Sequence, residues 1–578
     1  MAATDLPQSL CDLIDRVVRR VRLWPSEKRE VRAELESHFR EGLIELTQEG
    51  LSADQAAAVL SNRFGDPKLA AKLIRRGKKR GRTMIWKVFV RTTVVVVLGI
   101  FATCGYAAWL SFGKPSPSVD YIARINEPIE RIPYQDRAWP LLREAFLEFQ
   151  PPPQELLEQM SGVSRLPQPG QAAWDLASEW VRANRSLIPD LQRAANKPAF
   201  GFVYGNVKSE SGDFLRRLLE RDGKAEEAAR MAELAESEPE SLSCPLLSML
   251  MPHLREFRNI TRFLILNSRE HLARGEFIEG WTSLDIGHGL GAHLLEGYAL
   301  IEQLVGASII TGVTQEMRAL LAREQGDIAA EQWALVMNSH LMAMSAGTIK
   351  PDYTGERQMF EDVVQWVFTD DGTGDGHLIP REFPMDLVSG DSPGGLGRDA
   401  AYAALAVVHA GRKETLAKHA ELWEKMEDAL SLPLYDPKRD EVADALEKSF
   451  NDPATRYRYW LIFVVLPSLR NADTVIRESA MDQAATQTVA VLLQYRNDHG
   501  RFPAALDALV PAYLKDVPVD AFDGRPLKYS IDQGGRVSLY SIGRNFEDDG
   551  GSTEMAPERN RPDVKAPADI VYWPPNTD

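Results

Sequence analysis

A chain of 578 residues with 83 acidic against 67 basic side chains carries a formal net charge of −16 and has room for several domains and a large core. That balance argues against nucleic acid as the partner of its large soluble part, because phosphate binding needs concentrated Lys and Arg. Three cysteines, Cys11, Cys104 and Cys244, are too few and too scattered for a disulfide framework.

Residues 1–80 read as a helical bundle. Leu10, Leu13, Ile14, Val17, Val18 and Val21 fall at helical spacing, and Val31, Leu35, Phe39, Leu43 and Leu46 continue the stripe after Pro25. Ser52 is placed to cap a third helix, and Gly65, Asp66 and Pro67 punctuate before a fourth. Glu34 and His38 lie four residues apart without a second ligand pair, which predicts a solvated helix face rather than a metal site. The run ELESHFREGLIELTQEGLSADQAAAVLSNRFGDPKLAAKL resembles the short helical cytoplasmic domains that precede membrane spans in bacterial signalling proteins and permeases. The resemblance implies docking to a cytoplasmic regulator rather than catalysis.

Residues 85–113 read as a membrane anchor with a basic flank. Thr92 to Phe112 carries no charge, and as a helix it reaches roughly 30 Å, the hydrocarbon thickness of a bilayer. Arg75, Arg76, Lys78, Lys79, Arg80, Arg82, Lys87 and Arg91 precede it, and no acid lies between Asp66 and Asp120. The positive-inside rule then predicts one retained span with the N-terminus cytoplasmic and the C-terminus extracytoplasmic, and family resemblance to bacterial proteins implies the cell inner membrane and a periplasmic C-terminus. On that topology Cys244 is the sole outer cysteine and is expected to be a buried thiol.

Residues 115–453 read as an irregular, all-helical extracytoplasmic domain, with apolar residues three and four apart and breaks at Pro151 to Pro153 and Ser392 to Gly395. No phosphate loop or HExxH pattern occurs, which favours binding over catalysis. His288, His293 and Glu296 are near one another, but a five-residue step does not stack two imidazoles on one helix face. Asp371, Thr373, Asp375 and Glu382 occupy positions 1, 3, 5 and 12 of a loop with Gly376 sixth and Leu378 eighth. That is the ligand spacing of a calcium-binding EF-hand loop, after an expected entering helix and before prolines that spoil an exit helix.

Residues 454–578 change character. A long helix, interrupted at Pro467, ends at Gly500, and two short strands, PLKYSI and RVSLYSIG, flank a turn at Asp532 to Gly535. One helix on a small hairpin sheet is expected. The order of Tyr495, Gly500, Phe502 and Pro503, then Leu506, Leu509 and Pro511, then Pro518, Asp520, Phe522 and Gly524, then Tyr529, Ser541, Gly543, Gly550, Gly551, Asp569 and Trp573 resembles the globular domain of the type II secretion major pseudopilin. The resemblance implies a calcium ion in the loop after the second strand. Asn545 falls where that family commonly has aspartate, Asp569 falls on its late aspartate, and Glu547, Asp548 and Asp549 lie alongside to restore charge. Unlike a pseudopilin, the chain has this module at its far end and no glutamate in its long apolar segment, so no polymerisation is expected.

The fold class is therefore mainly α, with a C-terminal α+β module. The functional expectation is a calcium-stabilised, membrane-anchored binding or scaffold protein with a protein partner in the envelope or its secretion machinery. The alternative is an envelope hydrolase with its site in the helical domain.

Overall fold

The structure is a computed structural model, and it describes residues 5–80, 84–111, 113–160, 166–236, 246–323, 328–379, 408–465, 469–559 and 561–575. Cys244, Glu382 and Pro467 lie outside them. The protein is mainly helical, with a small antiparallel sheet near the C-terminus, and divides into two compact units, Met1–Tyr106 and Ala107–Asp578.

In the first unit α1 (Gln8–Arg20), α2 (Pro25–Gln48), α3 (Ala53–Phe64) and α4 (Pro67–Arg80) form the expected bundle. Pro25 opens α2 where a missing N–H costs nothing, and the Glu27 carboxylate accepts the N–H of Trp24 at 3.0 Å. Ser52 caps α3, accepting from Gln55 N–H at 3.3 Å while the Gln55 side chain accepts from Ser52 N–H at 3.1 Å. The apolar stripes meet in a core of Leu10, Ile14, Val31, Phe39 and Ala57. Glu34 pairs with Lys78 at 3.3 Å on the exposed side, as a solvated face should. Beyond the bundle, α5 (Met84–Ser111) holds one stretch, Val88–Tyr106, that is long and apolar enough to cross a membrane, and none of it is buried within the protein.

The second unit is built around four long helices, His253–Ala273, Phe277–Leu295, Leu300–Arg323 and Leu469–His499. The middle two approach closely through Gly291 and Gly306: a Cβ on Gly306 would lie 2.8 Å from the Gly291 carbonyl oxygen. The main core draws on residues from Tyr121 to Trp573, so the helical region and the C-terminal sheet share one apolar interior. A second cluster gathers Phe360, Val364, Phe368 and Trp460, and a third gathers Ile310, Tyr353, Trp423 and Ile476.

The two expected strands form as β1 (Lys528–Ile531) and β2 (Val537–Ser541), paired antiparallel with Tyr529 opposite Leu539. Three further strands were not legible: β3 (Met555–Glu558), β4 (Arg561–Pro567) and β5 (Ile570–Trp573). The sheet order is β1-β2-β5, with β3 and β4 as a separate pair. β5 is four residues long, and its Tyr572 and Trp573 are buried against the helices, a role set by distant partners rather than by an alternating pattern.

Candidate functional site

The loop that follows β2 brings together the four C-terminal residues singled out by sequence. Asp569 stands immediately before β5, fully buried, and accepts backbone N–H groups from the far side of the loop: Gly551 at 2.7 Å, Ser552 at 3.2 Å and, more weakly, Asp549 at 3.4 Å. Its own N–H donates to Ser552 O at 2.8 Å, so loop and strand are tied from both directions. Asn545 donates to Asp549 Oδ2 at 2.7 Å, and its side-chain oxygen accepts Glu547 N–H at 3.1 Å. Asp548 accepts from the Tyr540 hydroxyl at 3.0 Å and from Gly550 N–H at 3.1 Å. Burial pushes the Asp569 carboxyl above the usual range, outweighing the amide bonds that favour its charged form.

A second buried carboxylate holds the base of this loop. Asp520 accepts Phe522 N–H at 3.0 Å, Ile542 N–H at 2.9 Å and the Ser541 hydroxyl at 2.9 Å, and burial raises its pKa as well. Arg544, the next residue but one, makes a two-pronged contact with Glu478 of the long helix at 2.5 and 2.6 Å and reaches Glu558 at 2.9 Å. The loop is therefore fixed at its base while Asp548 and Asp549 remain exposed.

The donor set fits calcium in kind: carboxylates, one amide oxygen and a loop rich in backbone carbonyls. Asn545, Asp548, Asp549 and Asp569 would hold such an ion. Among the described residues no three His, Cys, Asp or Glu side chains are grouped to hold a metal, a pattern that does not bear on shells built from carbonyl oxygens.

The other acidic loop is arranged differently. The entering helix forms at Thr354–Val367, but the chain then doubles back, with Phe368 bridged antiparallel to Leu378 and Ile379 N–H on Val367 O at 2.7 Å. Within that hairpin Asp371 accepts both the N–H and the hydroxyl of Thr373, at 2.8 and 2.7 Å. Asp375 accepts Gly376 N–H at 2.8 Å and Lys413 N–H at 3.0 Å, and neighbouring Asp370 pairs with Arg412 at 2.8 Å. Asp371, Thr373 and Asp375 thus lie on one tight turn, closed by donors of the protein itself.

His288 and His293 separate as their spacing predicts. His288 is buried against Gln483 at 2.7 Å and His293 donates to Ala194 O at 3.0 Å; burial lowers the pKa of both. The buried polar contacts that sequence reading missed join distant segments. Glu302 accepts from Tyr204 and pairs with His253, at 2.8 and 2.9 Å. Asp473 receives Arg439, Arg477 and Tyr353. Arg318 binds Asp482 at 2.9 Å across 164 positions and lies over the Tyr572 ring. Half-buried His340 meets Asp285 at 2.8 Å, a bond that raises the imidazole pKa. No local pattern signals such pairs.

No known family, no curated protein and no solved structure matches this chain.

Proposed function

We propose that this is a single-pass inner-membrane protein whose large C-terminal part is an extracytoplasmic binding or scaffold platform, stabilised by calcium in the 545–552 loop. The reading rests on one observation above the rest: four oxygen-bearing side chains gathered by a loop whose base is pinned by buried Asp569 and Asp520. A metal that joins such a loop stiffens a surface without performing chemistry, which suits recognition of a protein partner. The apolar stretch Val88–Tyr106 is long enough to serve as the anchor, and the basic residues before it support a cytoplasmic N-terminal bundle, where it would meet a regulator. The partner is an envelope component, and the pseudopilin resemblance makes the secretion machinery the first place to look.

The test is calcium titration of the full chain in lipid nanodiscs, with an Asp549→Asn/Asp569→Asn variant beside it, and alkaline phosphatase fused after residue 575 to report topology. One binding step lost in the variant, with an active fusion, is the expected result. No binding heat removes the calcium reading, and an inactive fusion with a cytoplasmic C-terminus removes the envelope platform.

A further inference from the structure

In a chain this acidic, one cleft of about 520 Å³ is lined by nine residues that include three cations and no carboxylate. It lies beside the short turn Tyr134–Asp136, the start of the helix Trp139–Glu148 and the end of the helix Ile188–Ala195. Its cations are Arg137, Arg193 and Lys197. Arg193 has an acidic partner in Asp190, but the other two are held by backbone oxygens. Arg137 donates from Nε to Ile132 O at 2.9 Å and from Nη2 to Glu130 O at 2.9 Å, while Lys197 donates to Gln135 O at 2.5 Å. Carbonyl oxygens orient a cation without cancelling its charge, and these bonds leave Arg137 Nη1 and two ammonium protons of Lys197 uncommitted.

The chain is shaped to keep Arg137 there. Ala138 N–H and Trp139 N–H bond to Ala199 O and Phe200 O at 2.8 and 2.9 Å, which lays the Arg137 stem across Gly201. A Cβ at Gly201 would lie 2.5 Å from Arg137 Cβ and Cγ, and the residue's φ of +70° also favours glycine. A second cleft, of about 590 Å³, shows the contrast: Asp175, Glu179 and Glu270 offset Arg182 and Arg274 there.

The remaining wall is apolar. Pro140 and Leu141 line it, and Tyr134, which also lines it, is two-thirds exposed, at 67 %. A bare inorganic anion would leave that wall unused, and an uncharged apolar molecule would leave the cations uncompensated. The volume falls in the range of small-molecule sites. From this geometry we infer that the cleft binds a small organic carboxylate, its charge on Arg137 and Lys197 and its apolar body against Tyr134, Pro140 and Leu141. The inference goes beyond the platform reading and does not depend on calcium or on topology.

Benzoate is the probe, observed by saturation-transfer NMR with the full chain in nanodiscs and empty nanodiscs as the blank. Benzoate should bind, benzamide should not, and inorganic phosphate should compete only at much higher concentration. Lys197→Gln and Arg137→Gln should each weaken benzoate about tenfold, the loss expected for one charge-assisted contact. Gly201→Ala should do the same with every charge retained, because it displaces the Arg137 stem. Lys197→Gln removes one bond to a surface turn and carries the test should Arg137→Gln fail to fold. Absent benzoate binding, equal binding of benzamide, competition by phosphate at equal concentration, or unchanged affinity in a folded Lys197→Gln protein would each overturn the assignment.

Discussion

Two acidic, glycine-containing loops, 370–376 and 545–552, end in different structures. The first closes on itself: Asp370, Asp371 and Asp375 take donors from within the turn and from Arg412 and Lys413. The second closes on a carboxylate that arrives from elsewhere, because Asp569 reaches in from the start of β5 to collect its backbone N–H groups. Ligand spacing along the chain was the more regular in the first. Both turns are exposed and in both the outer carboxylates accept donors from within the turn; the difference is that the second also closes around a buried carboxylate supplied from outside it. Oxygen-rich spacing therefore says less about a site than the origin of the group that organises it.

The comparison is broken most directly at Asp569. Asp569→Ala leaves loop N–H groups without their acceptor and should cost about 3 kcal/mol, measured by urea unfolding of the full chain. Next comes the anchorage of that loop: Arg544→Ala strands Glu478 and Glu558, both largely buried, and should cost about 2 kcal/mol in the same assay. Loss of the Asp569 effect in a calcium-free protein, with the Arg544 effect intact, would mean that the ion and not the carboxylate closes the loop.

A smaller, sign-reversed effect sharpens the contrast. Burial raises the folded-state pKa of Asp569 above its unfolded value of 3.8, so its contribution is most favourable below that value and is lost as pH rises through the folded pKa. Hydrogen bonds to Thr373 lower the pKa of Asp371, so its contribution is present above 3.8 and lost as pH falls through the lower folded value. Measured in chelator against Asp569→Asn and Asp371→Asn, the wild type should gain relative stability on acidification in the first comparison and lose it in the second. Equal signs would refute the distinction. The smallest effect belongs to Asp371→Ala at neutral pH: the turn is exposed, and the unfolding midpoint should stay close to that of the wild type, as should any calcium heat.

Much of the molecule was legible without coordinates. The bundle of α1 to α4 follows from apolar spacing and from Pro25, Ser52 and Pro67, because helix starts are set by residues within a turn of one another. The apolar helix follows from composition, and β1 and β2 follow from alternation around the Asp532 to Gly535 turn. The residues gathered at 545–569 were named on a resemblance, and their proximity is a fact of the fold. What sequence could not supply was every contact whose partners are far apart: β5 against β2, Arg544 on Glu478, Arg318 on Asp482, and the Gly201 floor beneath Arg137. Local propensity acts over a few residues and needs no tertiary information. A buried charge is tolerable only beside its partner, and which partner lies within reach is decided when the helices pack.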